Sequence, residues 1–376
     1  MVGHRPPGRG GGPRRRGHRG TRDLRTGHAV PGARGGRGRG RSPAAGAAAG
    51  DGRTGGGPGD RRDAAERAVE AGAGGGEPAG AAGVAPGVGA GLNAHLGIRY
   101  AEPPVGPLRF HPPVDCDGEP TGAFGDAHTL NVWSAMDGPV ILWIHGGANT
   151  VGSSAQPEYA GDFLASLGVV FVSCNYRLAA DGYGALEGFQ HNRGLRDVVS
   201  ALRWIQRNIA RYGGDPGNVT VAGQSSGAQT VASLMVMPEA RGLFHRAIAH
   251  SLAGRFFTPD EAVEVQRAAE LDVLYQPIVD GDTLPRSPLE GPYDVDLLVC
   301  HTADEDPELF QRPTTRFADE HGRAFRSIYA RTPAHHGADV PDMFRGDIAR
   351  AWASFARDGD PGWPREELKR WVNSPS

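Results

Sequence analysis

Apolar residues gather in this chain into two recurring patterns, both confined to the part that follows residue 92. One is the short, nearly unbroken run. Residues 140–144 (Val-Ile-Leu-Trp-Ile) and 169–174 (Val-Val-Phe-Val-Ser-Cys) carry apolar groups on both strand faces, as strands inside a parallel sheet must. The other is the helical spacing of Leu195, Val198, Val199, Leu202, Ile205 and Ile209, which lines one face of a helix. Gly213-Gly214 ends that helix, Asp215-Pro216-Gly217 predicts a turn, and residues 219–222 read as the next short strand. Strands alternating with amphipathic helices predict an α/β fold with a mostly parallel central sheet flanked by helices.

Residues 1–92 are built from Gly, Arg, Pro and Ala, with no Trp, Phe or Tyr. Such a segment buries too little to offset the entropy of ordering, so a disordered extension is expected, with the folded domain at 93–376. Arg/Gly-rich tails can hold RNA by its phosphates, but the aromatics that stack on bases are missing, so no nucleic-acid partner is expected. The same composition also fits GC-rich DNA translated out of frame or from too early a start.

Composition narrows the picture further. With 376 residues, 39% of them hydrophobic, the chain can form a sizeable core, and a net charge of −3 gives no general attraction to nucleic acid or anionic membranes. Cys116, Cys174 and Cys300 lack the number and spacing of a disulfide framework or a zinc site, and read as buried free thiols. No run of eighteen apolar residues occurs and the basic N-terminus lacks a signal-peptide core, so a cytoplasmic protein without a membrane partner is expected.

Candidate chemistry sits where the strand at 219–222 meets Gly223-Gln224-Ser225-Ser226-Gly227. A serine flanked by glycines between a strand and a helix can stand at a strained turn with its hydroxyl exposed, although a helix N-cap at a Gly-rich turn has the same letters. The helix that follows offers unpaired N–H groups, the amide of Ser226 first among them, to an oxyanion. Acyl transfer needs more than one such donor. His145-Gly146-Gly147-Ala148, leaving a buried strand, can supply the amides of Gly147 and Ala148.

Residues 97–110 (Gly-Ile-Arg-Tyr-Ala-Glu-Pro-Pro-Val-Gly-Pro-Leu-Arg-Phe), Leu130-Asn131-Val132-Trp133, Trp143 to Gly147, Asn175-Tyr176-Arg177-Leu178, and Gly213-Gly214-Asp215-Pro216 through Gly227 occur in that order. Together they resemble the signature segments of the type-B carboxylesterase and cholinesterase family, and within it the bacterial para-nitrobenzyl-esterase-like members. The resemblance implies an α/β-hydrolase fold and a serine hydrolase that cleaves small-molecule esters through an acyl-enzyme, without cofactor or metal. It also implies a triad in the order Ser, Glu, His. The run 297–300 leads into His301-Thr302-Ala303-Asp304-Glu305, similar to the family's acid loop, which makes Glu305 the acid and Asp304 the alternative. Ala334-His335-His336-Gly337-Ala338-Asp339 resembles the histidine segment, and its Gly-Ala-Asp aligns His336 rather than His335 with the base.

The departures are as specific as the matches. The family's GESAG appears here with Gln224 and Ser226, which keeps the serine and alters what lies behind it. Asp306 follows the acid where the family has glycine, a like charge expected to loosen the loop. The family's Glu-Asp-Cys element before Leu130 is missing, which puts a buried salt-bridge network in question. Residues 254–277 hold about one helix, and a further segment is lost between 310 and 325, so a shallow, open site with broad specificity for short acyl chains is expected. Such shortening leaves two other readings open: a truncated, catalytically dead paralogue, and a non-catalytic recognition module. The latter usually lacks the serine.

Overall fold

The structure is a computed structural model that describes residues 91–268 and 274–373. The expectation of disorder over 1–92 therefore lies, but for its last two residues, outside the described residues. Nine strands form one sheet in the order β1-β2-β4-β3-β5-β6-β7-β8-β9. They are β1 (Asn93–Arg99), β2 (Thr129–Ser134), β3 (Gly138–Ile144), β4 (Val170–Cys174), β5 (Gly214–Gln224), β6 (Arg246–His250), β7 (Asp296–Thr302), β8 (Phe325–Tyr329) and β9 (Leu368–Trp371). β2 pairs antiparallel with β1 and β4, and every other neighbour is parallel.

Helices cover the sheet between the strands. In chain order they are α1 (Asp162–Ser166), α2 (Ala179–Tyr183), α3 (Arg193–Asn208), α4 (Ser226–Leu234), α5 (Pro259–Ala268), α6 (Arg312–His321), α7 (Val340–Met343) and α8 (Gly346–Asp358). The run 140–144 shows why both faces need cover. Val140, Leu142 and Ile144 enter one core, with Leu195, Val198, Leu202 and Ile205 of α3. Ile141 and Trp143 point the other way, where Trp143 meets Phe344 edge-on at 5.0 Å and Trp352 of α8 at 5.9 Å. A period of two along each strand thus sorts residues between two cores.

From β3 the chain crosses to β4 on one side and then returns to β5 on the other. Crevices at the carboxyl ends of parallel strands open where the winding reverses in this way. The segments His145-Gly146-Gly147 and Ser225 leave the sheet at that end of β3 and β5.

Two expectations are corrected. Asp215-Pro216-Gly217 does not separate helix from strand but lies inside β5. Asp215 pairs with Pro139 and the next pair is Val219 with Val140, so residues 216–218 bulge out, and Asp215 Oδ1 closes them by accepting the Gly217 amide at 2.8 Å. A buried salt-bridge network does exist without the Glu-Asp-Cys element. Arg177 grips Asp197 of α3 with Nε and Nη2 at 2.8 and 2.6 Å and donates from Nη1 to the carbonyls of Arg109 and His111. His128, in the loop before β2, brings Nε2 to 3.0 Å from the same carboxylate. Burial pushes the Asp197 carboxyl up, but His128 and Arg177 outweigh it and bring it down to about 2.

Cys174 and Cys300 are buried thiols as expected, while Cys116 is only half-buried. No helix among the described residues is long and apolar enough to cross a membrane.

Candidate active site

Ser225 joins β5 to α4 with φ 57° and ψ −122°, a backbone state that a non-glycine residue holds only when its surroundings impose it. The surroundings are close. A Cβ on Gly227 would run into the carbonyl of Ile144 and come within 2.9 Å of that of His145. A Cβ on Gly223 would strike the Gly227 backbone. Glycines two places either side of the serine are therefore required by contact. The Ser225 amide donates to His250 O at 2.9 Å and the Ser225 carbonyl accepts from Gln229 N at 3.0 Å, which fixes the turn from both ends.

Ser225 Oγ lies 3.0 Å from His336 Nε2, and His336 Nδ1 lies 2.7 Å from Glu305 Oε2. The carboxylate only accepts, so Nδ1 carries the proton and Nε2 is free to accept from the serine hydroxyl. Glu305 is buried, and its second oxygen accepts the Thr302 amide at 3.1 Å. The Gln311 side-chain amide lies within 3.1 Å of the carbonyls of Thr302, Ala303 and Glu305 and clamps the acid loop. Phe310 packs flat on the His336 ring with centroids 3.8 Å apart. Of the alternatives, Asp304 and His335 are both exposed, and neither joins the chain of bonds. Asp306 does not loosen the loop. Its carboxylate caps the helical turn Pro307–Gln311 by accepting the amides of Glu308 and Leu309 at 2.8 and 2.9 Å.

The loop from His145 to Ala148 is shaped by tying its carbonyls down. His145 Nδ1 lies 2.8 Å from Gly146 O, and the carbonyl of Gly147 accepts from Thr150 N and Val151 N, both at 3.0 Å. In a trans peptide the N–H points opposite to its C=O, so the amides of Gly147 and Ala148 are turned away from those anchors. Among the described residues no protein acceptor takes a hydrogen bond from Gly147 N, Ala148 N or Ser226 N. The loop abuts the serine: a Cβ on Gly146 would sit 3.3 Å from Ser225 Cβ. His145 itself is buried against Tyr176, and burial takes its basicity down to about 4, partly offset by the Gly146 carbonyl. It works here as a neutral donor.

Two neighbours add contacts that the sequence did not reveal, although Gln224 stood out there as a departure from the family's motif. Asn149 holds φ 58° and reaches across to Gln229 Oε1 at 3.1 Å and to Tyr275 O at 3.2 Å, pinning the loop to α4. Gln224 Nε2 approaches His336 Nε2 to 3.3 Å. These partners are far apart along the chain and meet only when the strands align.

The profile of the Carboxylesterase family matches residues 121–271. Phenmedipham hydrolase of Pseudarthrobacter oxydans is 31% identical over 346 aligned residues, covering 71% of this chain and 68% of that protein. Para-nitrobenzyl esterase of Bacillus subtilis (strain 168) is 37% identical over 49% of this chain and 45% of its own length. The chain thus spans less than half of that relative, and 35% of mouse carboxylesterase 3B. Among solved structures, a PNB esterase superposes with a TM-score of 0.66 at 25% identity, covering 73% of this chain and 89% of the other. Carboxylesterase EST55 of Geobacillus stearothermophilus gives 0.65 at 27% identity, with the same coverages. A mostly parallel sheet with this strand order, an elbow serine at its switch point and relatives of this extent place the chain in the carboxylesterase family of α/β-hydrolases.

Proposed function

We propose that this chain hydrolyses carboxylic esters through an acyl-enzyme on Ser225. The observation that carries the reading is the unbroken series from Ser225 Oγ through His336 to Glu305, at 3.0 and 2.7 Å. His336 Nε2 takes the serine proton as Oγ attacks the ester carbonyl, and Glu305 holds the ring in the tautomer that can accept it. The amides of Gly147, Ala148 and Ser226 receive the negative charge on the carbonyl oxygen. His336 then returns its proton to the departing alcohol and next activates a water that releases the acid. Ser225, His336, Gly147 and Ala148 are all half-buried, so the reacting groups lie shallow, which suits short acyl chains and broad specificity. Substrates are small-molecule esters, and nothing in the steps requires a cofactor.

The test is hydrolysis of p-nitrophenyl acetate and butyrate by wild type and Ser225→Ala. Loss of about 10⁴-fold or more in kcat for the variant is expected. Equal rates in the two proteins would remove the reading.

A further inference from the structure

One residue outside the proposed triad touches both halves of the site. His250 ends β6 beside Gln224 of β5, and its carbonyl accepts the Ser225 amide. Its ring faces the loop of the base: Nδ1 lies 2.9 Å from Oδ2 of Asp339, three residues beyond His336. Both side chains are buried, at 1% and 0% exposure. Trp352 Nε1, which can only donate, lies 3.3 Å from His250 Nε2. Nε2 therefore holds the lone pair, Nδ1 holds the proton, and Asp339 accepts. The opposite tautomer would set two donors head to head at Trp352.

The same place offers another reading. His250, Cys300 and Asp339 present ligand atoms within 4.8 Å of one another, an N, S, O set that zinc takes. A metal on His250 would need the lone pair of one ring nitrogen. Nε2 spends its own on Trp352, and Nδ1 spends its proton on Asp339. The hydrogen bonds to Asp339 and Trp352 use both ring nitrogens, and a metal on the ring would undo one of them.

We infer that His250 and Asp339 form a second, non-reacting His–carboxylate pair that sets the separation of Ser225 and His336. His250 is a positioning residue, holding the nucleophile's turn through its carbonyl and the base's loop through its ring. The loop transmits the hold because it is tied internally, by Ala338 N to His335 O at 3.0 Å and Val340 N to Gly337 O at 3.1 Å. A misplacement of about 1 Å between reacting groups can cost on the order of 100-fold in rate. The inference rests on the ester-hydrolase reading, and its test separates the two.

The test compares variants that break the bond, His250→Leu and Asp339→Leu, with variants that preserve it, His250→Gln and Asp339→Asn. Glutamine can donate to Asp339 and accept from Trp352, and asparagine can still accept from His250 Nδ1. Rates are taken per site titrated with a phosphonate ester. The leucine variants should lose about 10- to 100-fold in kcat with KM within about twofold, and the conservative variants should stay within about threefold of wild type. A purely structural role would lower the melting temperature and leave kcat per titrated site unchanged, which would overturn the inference. So would conservative variants that fall as far as the leucine ones.

Should the leucine variants not fold, NMR of wild type labelled with 15N-histidine decides. The resonances removed by His250→Gln must report a neutral ring protonated at Nδ1. A doubly protonated ring, or one zinc per chain by metal analysis, overturns the pair. If wild type cleaves no ester, the hydrolase reading fails while the NMR result still decides the pair.

Discussion

At the scale of single residues, Gln224, where the chain departs from the family's GESAG motif, bears directly on the histidine. Its amide nitrogen stands 3.3 Å from His336 Nε2, where Ser225 Oγ already lies at 3.0 Å, so two donors compete for one lone pair. A carboxylate in that place would instead favour the protonated ring. Gln224→Glu is therefore expected to move the acid limb of the kcat/KM profile about one unit toward higher pH, with Gln224→Met as the uncharged control. A profile measured from pH 5 to 9 that does not move in Gln224→Glu removes the coupling. Ser225, Glu305 and His336 were legible in the sequence because each sits in a short segment whose letters depend on local geometry: glycines forced by contact, a strand end, a Gly-Ala-Asp turn. Gln224 was legible only as a departure, since its partner lies 112 positions away. Asn149, His250 and Phe310 were not legible at all. Nothing local distinguishes an asparagine that pins a loop from one that faces water.

At the scale of elements, the central strands were legible because burial on both faces leaves an unbroken apolar run, and α3 because burial on one face leaves a helical stripe. The bulge in β5 was not, since Asp-Pro-Gly serves a turn and a bulge equally well. The clamp between Arg177 and Asp197 shows what joins such elements. It ties the segment after β4 to α3 and, through the carbonyls of Arg109 and His111, to the chain before β2. Asp197 is fully buried, so removing Arg177 leaves its charge with His128 as the one remaining charged partner described for it. Arg177→Leu is expected to cost about 3–5 kcal/mol in urea unfolding, and the double variant with Asp197→Leu to recover part of that loss. A cost under about 1 kcal/mol would mean that His128 alone compensates the carboxylate. The absent Glu-Asp-Cys element gave no sign of this network, because His128 and Arg177 reach Asp197 from segments 69 and 20 residues away in the chain.

At the scale of the whole molecule, buried titratable groups make the fold sensitive to acid in two windows. His145 keeps its ring neutral in the folded protein until about pH 4, whereas the unfolded chain takes that proton near the ordinary value of 6.5. Between those values the unfolded state binds more protons, so stability is full above about pH 6.5 and falls as pH drops toward 4, by about 3 kcal/mol in all. Burial lowers His95 and His321 as well, in the same direction. Asp197 acts further down. Its carboxyl stays ionised to about pH 2 when folded, against 3.8 unfolded, so its contribution is present above 3.8 and is lost below it. Urea midpoints at pH 7, 5.5 and 4 should therefore fall steadily, and His145→Gln, which cannot titrate, should flatten the decline between 6.5 and 4. A variant that keeps the full slope would assign the upper window to other histidines. The same ring anchors Gly146 O and so helps hold the loop that carries Gly147 and Ala148, which means that the acid window of stability and the geometry of the candidate site depend on one neutral imidazole.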